Sequence, residues 1–300
     1  MTAESGEKRA HTKAMTAAPK SRTARLHLAF ALVVLAIAAI GWNSLRAWLQ
    51  ISTSGEQASD YWVVPILSAL LCLQRKHEIF APAARFTPAG VALIAAGLGI
   101  NAAFLRSGAN SAALLGIVVA IAGAFLFCYG GRACSQARFP LALLLLAIPL
   151  PIAAWNHVVD WLQHGSATVL EAIFTLLQIS FHRNGLEFQL SSLSINIAPE
   201  CSGIRSSYAL LVITVLLAYL SVHSLWRRAL LVAAVIPLVL IKNGIRIATI
   251  SLLAVKVDPV FIDGPLHHRG GFVFFSLVFA AEGALCWLLR RSEMQAARQD

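Results

Sequence analysis

The sequence predicts an all-α polytopic membrane protein of about eight transmembrane helices, with an interfacial amphipathic helix and a short outer hairpin. Three observations predict it. The 300 residues are 58% hydrophobic and 13% charged, against the roughly 45–50% apolar share of a soluble domain. Mean hydropathy is +0.72, and apolar runs of about 20 residues, the length that crosses a bilayer core, recur along the chain. Finally, the net charge of +10 resides in Lys and Arg clustered between those runs. That is the topology pattern of a membrane protein, so lipid is the expected partner and nucleic acid is not.

Taken in order, residues 1–25 carry Lys8, Arg9, Lys13, Lys20, Arg22 and Arg25 without apolar periodicity and read as a disordered cytoplasmic tail. A basic stretch before Leu26–Trp42 also has the form of a secretory signal, but the tail is long and no small-residue cleavage site leads into a soluble domain, so an uncleaved first span is expected. One membrane domain is expected over 26–291, with 292–300 as a short cytoplasmic tail.

Candidate spans fall near 26–43, 60–74, 87–105, 110–129, 138–155, 203–222, 229–252 and 271–289. With both termini cytoplasmic, the basic groups Arg75, Lys76 and Arg85, Arg132 and Arg138, Arg227 and Arg228, and Arg290 and Arg291 all fall on the cytoplasmic side of the membrane. The opposite connections, which include the long 156–200 segment, are less basic. Within 156–184 an apolar pattern is interrupted by Asp160, His164, Glu171 and Gln178. Charge at bilayer depth costs several kcal/mol, so an interfacial helix is expected there rather than a further span. Asn184-Gly185 is a turn dipeptide, and period-two alternation in Leu186–Leu190 and Leu193–Ile197 predicts the hairpin.

Cysteine placement narrows the chemistry. Cys72, Cys128 and Cys286 fall in spans and Cys134 in a cytoplasmic connection, where they read as small apolar fillers, which leaves Cys201 on the outer side. It precedes Ser202, a candidate N-cap, and Gly203 at the start of the sixth span. A thiol at a helix N-terminus is favoured as thiolate, and the free N–H groups there can hold an oxyanion; the alternative is an inert interfacial cysteine. Arg246 lies in an otherwise apolar span, three residues after Asn243 and therefore on the same face. Intramembrane ionisable groups mark functional sites, whereas Lys242 reads as a side chain that snorkels to the headgroups. His267 and His268 stand just before the last span, where an imidazole suits proton exchange near neutrality or is simply a polar loop residue. The eight-span topology puts Cys201, Arg246 and His267 at one membrane face.

These stretches together resemble the exosortase/archaeosortase family of membrane-embedded sorting enzymes. The resemblance runs through Cys201-Ser202-Gly203, Asn243 with Arg246, and His267 with Gly271 ahead of Phe275. It extends to Phe139-Pro140 through Ile148–Pro151 and, more loosely, to Tyr61–Pro65, and so covers roughly residues 60–290. It implies Cys201 as nucleophile, Arg246 as anion stabiliser and His267 as general acid/base, with His268 replacing His267 if the spacing to Gly271 misleads. Its implied substrates are exported proteins bearing a C-terminal motif, often of Pro-Glu-Pro type, followed by a transmembrane span and a basic cluster. The acceptor is not named by the sequence, and no metal or cofactor is expected. A polytopic transporter, or a non-catalytic scaffold of extracellular polysaccharide assembly, is the reading from a different class.

Overall fold

The computed structural model describes residues 23–53, 60–80, 87–191, 193–199, 203–261 and 271–296. The chain divides into two compact units, Met1–Pro151 and Ile152–Asp300.

In the first unit, α1 (Thr23–Ile40) leads into α2 (Trp42–Thr53). Then follow α3 (Val63–Gln74), the single turn α4 (Lys76–Ile79), α5 (Pro88–Arg106), α6 (Asn110–Gln136), α7 (Arg138–Leu143) and a 3-10 turn, Leu144–Ala147. Small residues set the closest contact. A Cβ on Gly97 would lie 2.5 Å from the Ala120 nitrogen and the Gly116 carbonyl, so the backbones of α5 and α6 meet where no side chain fits. Helices in lipid gain little from hydrophobic burial and associate through such close van der Waals packing. Beside it, the buried Asn101 amide donates to Ser44 Oγ at 2.8 Å and to the Ala113 carbonyl at 2.9 Å. At the other end of α6, His27, Phe30, Phe80, Phe125 and Tyr129 form an aromatic cluster, in which His27 Nδ1 bonds Tyr129 Oη at 2.8 Å. Gly130, with φ +82°, kinks α6 next to that cluster, and Cys134 falls within the last turns of the helix rather than in a connection.

The second unit contains α8 (Ile152–Leu176), the strands β1 (His182–Asn184), β2 (Glu187–Gln189) and β3 (Ser194–Asn196), α9 (Ile204–Ser221), α10 (Leu225–Lys256), a 3-10 turn (Pro259–Phe261) and α11 (Gly271–Ala296). The strands form one antiparallel sheet in the order β1-β2-β3, with Asn184 opposite Glu187 and Phe188 opposite Ile195. The expected hairpin is thus β2 and β3, joined by a strand the alternation did not reveal, and Gly185 takes a positive φ in the turn between β1 and β2. Phe188 and Ile197 are buried against Leu170 and Phe174 of α8 and Ile247 and Ala248 of α10. Arg183 pairs with Glu171 and lies over the Phe188 ring, which ties β1 to α8.

Six helices are long and apolar enough to cross a membrane, or seven if Arg138–Ala147 with Ile152–Leu176 counts as one broken span. Every expected span contains helix, but α3 has only 12 residues. The span expected over 138–155 is interrupted at 148–151, because Pro149 and Pro151 withdraw backbone donors and disfavour helix just before them. Residues 156–176 belong to the continuous α8. It is amphipathic, as its polar interruptions required, and its stripe of Trp155, Leu162, Ala167, Leu170 and Phe174 is buried inside the unit.

At the turn between α9 and α10, the Glu293 carboxylate of α11 accepts from the His223 and Ser224 N–H groups at 3.0 and 2.6 Å. Arg228 Nε donates to the Val222 carbonyl at 2.6 Å. These bonds satisfy groups that the two helix ends leave open.

Gly97→Ala is expected to lower thermal stability by an amount corresponding to about 1–3 kcal/mol, since the contacts at 2.5 Å are backbone and cannot turn aside. Gly99→Ala, which meets nothing within 4 Å, should be neutral or slightly stabilising. Fluorescence-detected size-exclusion melting of the detergent-solubilised chain separates the two, and equal melting points would contradict the close approach.

Candidate functional site

The residues singled out from the sequence all belong to the second unit. Cys201, Ser202, His267 and His268 lie outside the described residues, whereas Gly203, Asn243 and Arg246 lie within them.

Gly203, not Ser202, is the residue that flanks the first turn of α9, and it does so in the left-handed region at φ +67°. Two constraints make glycine the fitting residue there. L-residues pay about 1–2 kcal/mol for that conformation. In addition, a Cβ would lie 2.4 Å from Asn243 Oδ1 and 2.7 Å from its Nδ2. The Asn243 amide, only 1% exposed, therefore packs directly on the backbone two residues beyond Cys201. Behind this contact the Gly203 carbonyl accepts from Ser206 Oγ and Ser207 Oγ, both at 2.8 Å, and from the Ser207 N–H at 2.9 Å. The first turn of α9 is thereby tied to itself and to the middle of α10.

Lys242 departs from its expected place. Instead of snorkelling to the headgroups it is 5% exposed, and its Nζ donates to Ser206 Oγ at 2.5 Å. The reason is geometric. Lys242, Asn243 and Arg246 share one face of α10, and Asn243 on Gly203 holds that face towards α9. Arg246, partly buried, follows one turn later.

Two further features fix the approach to the site. Gln163 of α8 donates from Nε2 to the Ile197 carbonyl at 2.6 Å, which secures the extended stretch before Cys201. Gly244 brings α10 close to α8, since a Cβ there would lie 2.4 Å from Val169 Cγ1. On the other side, Ile204 of α9, Leu162 of α8, Leu238 of α10 and Phe275 of α11 pack into one cluster. The start of α9, which follows Cys201, and the start of α11, which follows His267 and His268, are thus joined through shared packing.

Gln163, Ser206 and the burial of Lys242 were not read from the sequence. The signal for Lys242 was present in its spacing of four from Arg246, which puts both cations on one face. Glu282 of α11, 1% exposed, is a buried carboxyl beside Thr214 of α9 that hydropathy alone conceals.

In comparisons with known proteins, the model of the family described as transmembrane exosortase (Exosortase_EpsH) matches residues 48–282. No curated protein and no solved structure matches the chain.

The contact between Gly203 and Asn243 makes a stability prediction. Gly203→Ala should lower the melting point appreciably in the parent. It should cost less in an Asn243→Ala background, with a coupling of about 0.5–3 kcal/mol between the two positions. Strict additivity in a melting-point cycle would mean that the two residues do not touch.

Proposed function

The chain belongs to the transmembrane exosortase family, whose membership implies sorting proteolysis or transpeptidation of proteins bearing a PEP-CTERM tail; from that premise we propose that this multi-pass membrane protein cleaves such tails through a Cys201 thioester. The reading places both termini in the cytoplasm and the reaction at the extracytoplasmic face of the inner membrane. The observation that supports it most is the seating of Gly203, two residues beyond Cys201, on Asn243, one turn from Arg246. Residues distant in sequence and matching the family pattern are neighbours in that part of the fold.

The reaction follows from the residue types. The Cys201 thiolate attacks the carbonyl carbon of the scissile peptide, and the developing oxyanion is held by the Arg246 guanidinium and by N–H groups at the start of α9. His267 gives its proton to the departing amine as the C–N bond breaks, which leaves an acyl thioester on Cys201. An acceptor then attacks the thioester carbonyl, His267 takes the acceptor's proton, and the thiolate is released. Water as acceptor completes a proteolysis, and an amine or hydroxyl completes a transfer. The substrate's own apolar span would hold the scissile bond at the depth of the site, replacing a three-dimensional encounter with positioning.

Cys201→Ala is expected to abolish cleavage of a co-expressed tail-bearing protein, followed as the mobility shift of that substrate. Cleavage at the parental rate would refute the nucleophile. Arg246→Lys should lower cleavage at least about tenfold, because an ammonium does not replace a planar guanidinium with several donors. Of His267→Ala and His268→Ala, the first should cost more; the reverse order would move the acid/base role to His268.

A further inference from the structure

One end of the second unit gathers guanidinium groups that the sorting chemistry does not use. Arg227 and Arg228 stand in the first turn of α10, and Arg290 and Arg291 near the end of α11. Glu293 brings the two pairs together. It follows Arg290 by three residues on α11, its carboxylate lies 3.6 Å from Arg227 Nη1, and it accepts the His223 and Ser224 N–H groups. Neither α9 nor α10 contains Asp or Glu, and α11 adds only Glu282, buried eight residues before Arg290. Among the described residues, positive charge at this end is therefore in excess, and its one carboxylate is already held by backbone donors.

The four guanidinium groups are not equivalent. Arg228 serves the fold, with Nε on the Val222 carbonyl at 2.6 Å and Nη2 on that of Tyr219 at 3.4 Å. Arg227 is largely buried, yet its Nε meets no hydrogen-bond acceptor among the described residues, and a buried donor of this kind calls for one. Arg290 and Arg291 are exposed and form no ion pair among the described residues. Arg227 lies over the Trp226 ring at 5.0 Å and Arg291 over the Trp287 ring at 5.3 Å, and both indoles are exposed. A ring covers one face of a guanidinium and leaves the N–H groups at its edge available to an oxyanion. Leu225 and Leu288, each next to one of these indoles in the chain, are exposed as well.

We infer that this end of the unit binds an anionic phospholipid, with Arg227, Arg290 and Arg291 on the headgroup phosphate and Trp226 and Trp287 against the glycerol and the first acyl carbons. Guanidinium groups match phosphate oxygens in charge and in the geometry of paired donors. Indole rings settle at the depth where one edge is apolar and the other wet, which is the level of a lipid glycerol. The exposed leucines fit acyl chains and would gain nothing from a free phosphate ion. A zwitterionic lipid is disfavoured, because its own cation would meet only guanidinium groups once Glu293 is engaged. The basic pair Arg75-Lys76 of the first unit is the contrast, since Glu78 already holds Arg75. None of this depends on Cys201 as the nucleophile.

The test titrates the full chain, purified in a neutral detergent, with dioleoyl phosphatidylglycerol or dioleoyl phosphatidylcholine and reads the retained lipid by native mass spectrometry. The parent is expected to retain phosphatidylglycerol and not phosphatidylcholine. Arg290→Gln with Arg291→Gln should weaken that retention by on the order of tenfold, as the loss of two cations facing an anionic headgroup requires. Arg75→Gln with Lys76→Gln should leave it within about twofold of the parent. An equal loss in the two double variants would mean that only bulk charge is being read, and equal retention of the two lipids would remove the headgroup preference; either result overturns the inference. So does displacement of phosphatidylglycerol by inorganic phosphate beyond the effect of chloride at the same ionic strength, which would mark a site for a soluble anion. Should the Arg290 and Arg291 double variant fail to purify, Arg291→Gln alone decides, with a several-fold loss expected and parental retention counting against the site.

Discussion

A backbone that enters hydrocarbon finds no water, so each N–H and C=O must be met from within the protein, and this requirement governs where the chain can leave regular helix. The departures coincide with side-chain donors. Where α7 gives way to the 3-10 turn, Ser68 Oγ donates to the Pro140 carbonyl at 2.8 Å and Trp48 Nε1 to the Ala147 carbonyl at 2.7 Å. In the second unit Gln163 meets the Ile197 carbonyl, and Ser206 and Ser207 meet that of Gly203. The last two cases border Cys201 on either side. Irregular backbone at a membrane boundary needs such bonds before it can hold any side chain in place.

Much of this was legible because lipid imposes a strong pattern. Apolar runs bounded by Arg and Lys located helices, since length and charge are what a bilayer selects. Strands β2 and β3 were legible because the alternation runs on either side of them through Leu186–Leu190 and Leu193–Ile197, whereas β1, His182–Asn184, consists of three successive polar residues and shows no alternation. The break after Ala147 was signalled by Pro149 and Pro151, yet the run Leu141–Ile152 is so apolar that hydropathy carries a reader across it.

The site was legible in part for a similar reason. Asn243 and Arg246 stand out because polar groups are rare in an apolar span. Gly203 stands out as the residue after a thiol and a hydroxyl, but the reason for glycine there, an amide from α10 seated against its backbone, belongs to tertiary packing. Lys242 reads as a snorkelling side chain because that is what a lysine does where a helix face meets lipid; its spacing of four from Arg246 puts both cations on one face, but whether that face meets lipid or protein is decided by packing. The contact of Asn243 with Gly203 decides that question for its neighbours on the same face.

The length of α10 carries the last step. Its 32 residues span about 48 Å at 1.5 Å per residue, well beyond a hydrocarbon core of about 30 Å. If Arg227 and Arg228 mark the headgroups at one end, the core is exhausted about 20 residues later, near Arg246. Lys242, Asn243 and Arg246 thus reach the opposite boundary, although the sequence around them is apolar enough to be counted as membrane interior. The 18 residues of α9, about 27 Å, bring Gly203 to the same level from the other direction. Charged groups that would be prohibitively costly at mid-depth can therefore be accommodated here, where the helix leaves the hydrocarbon.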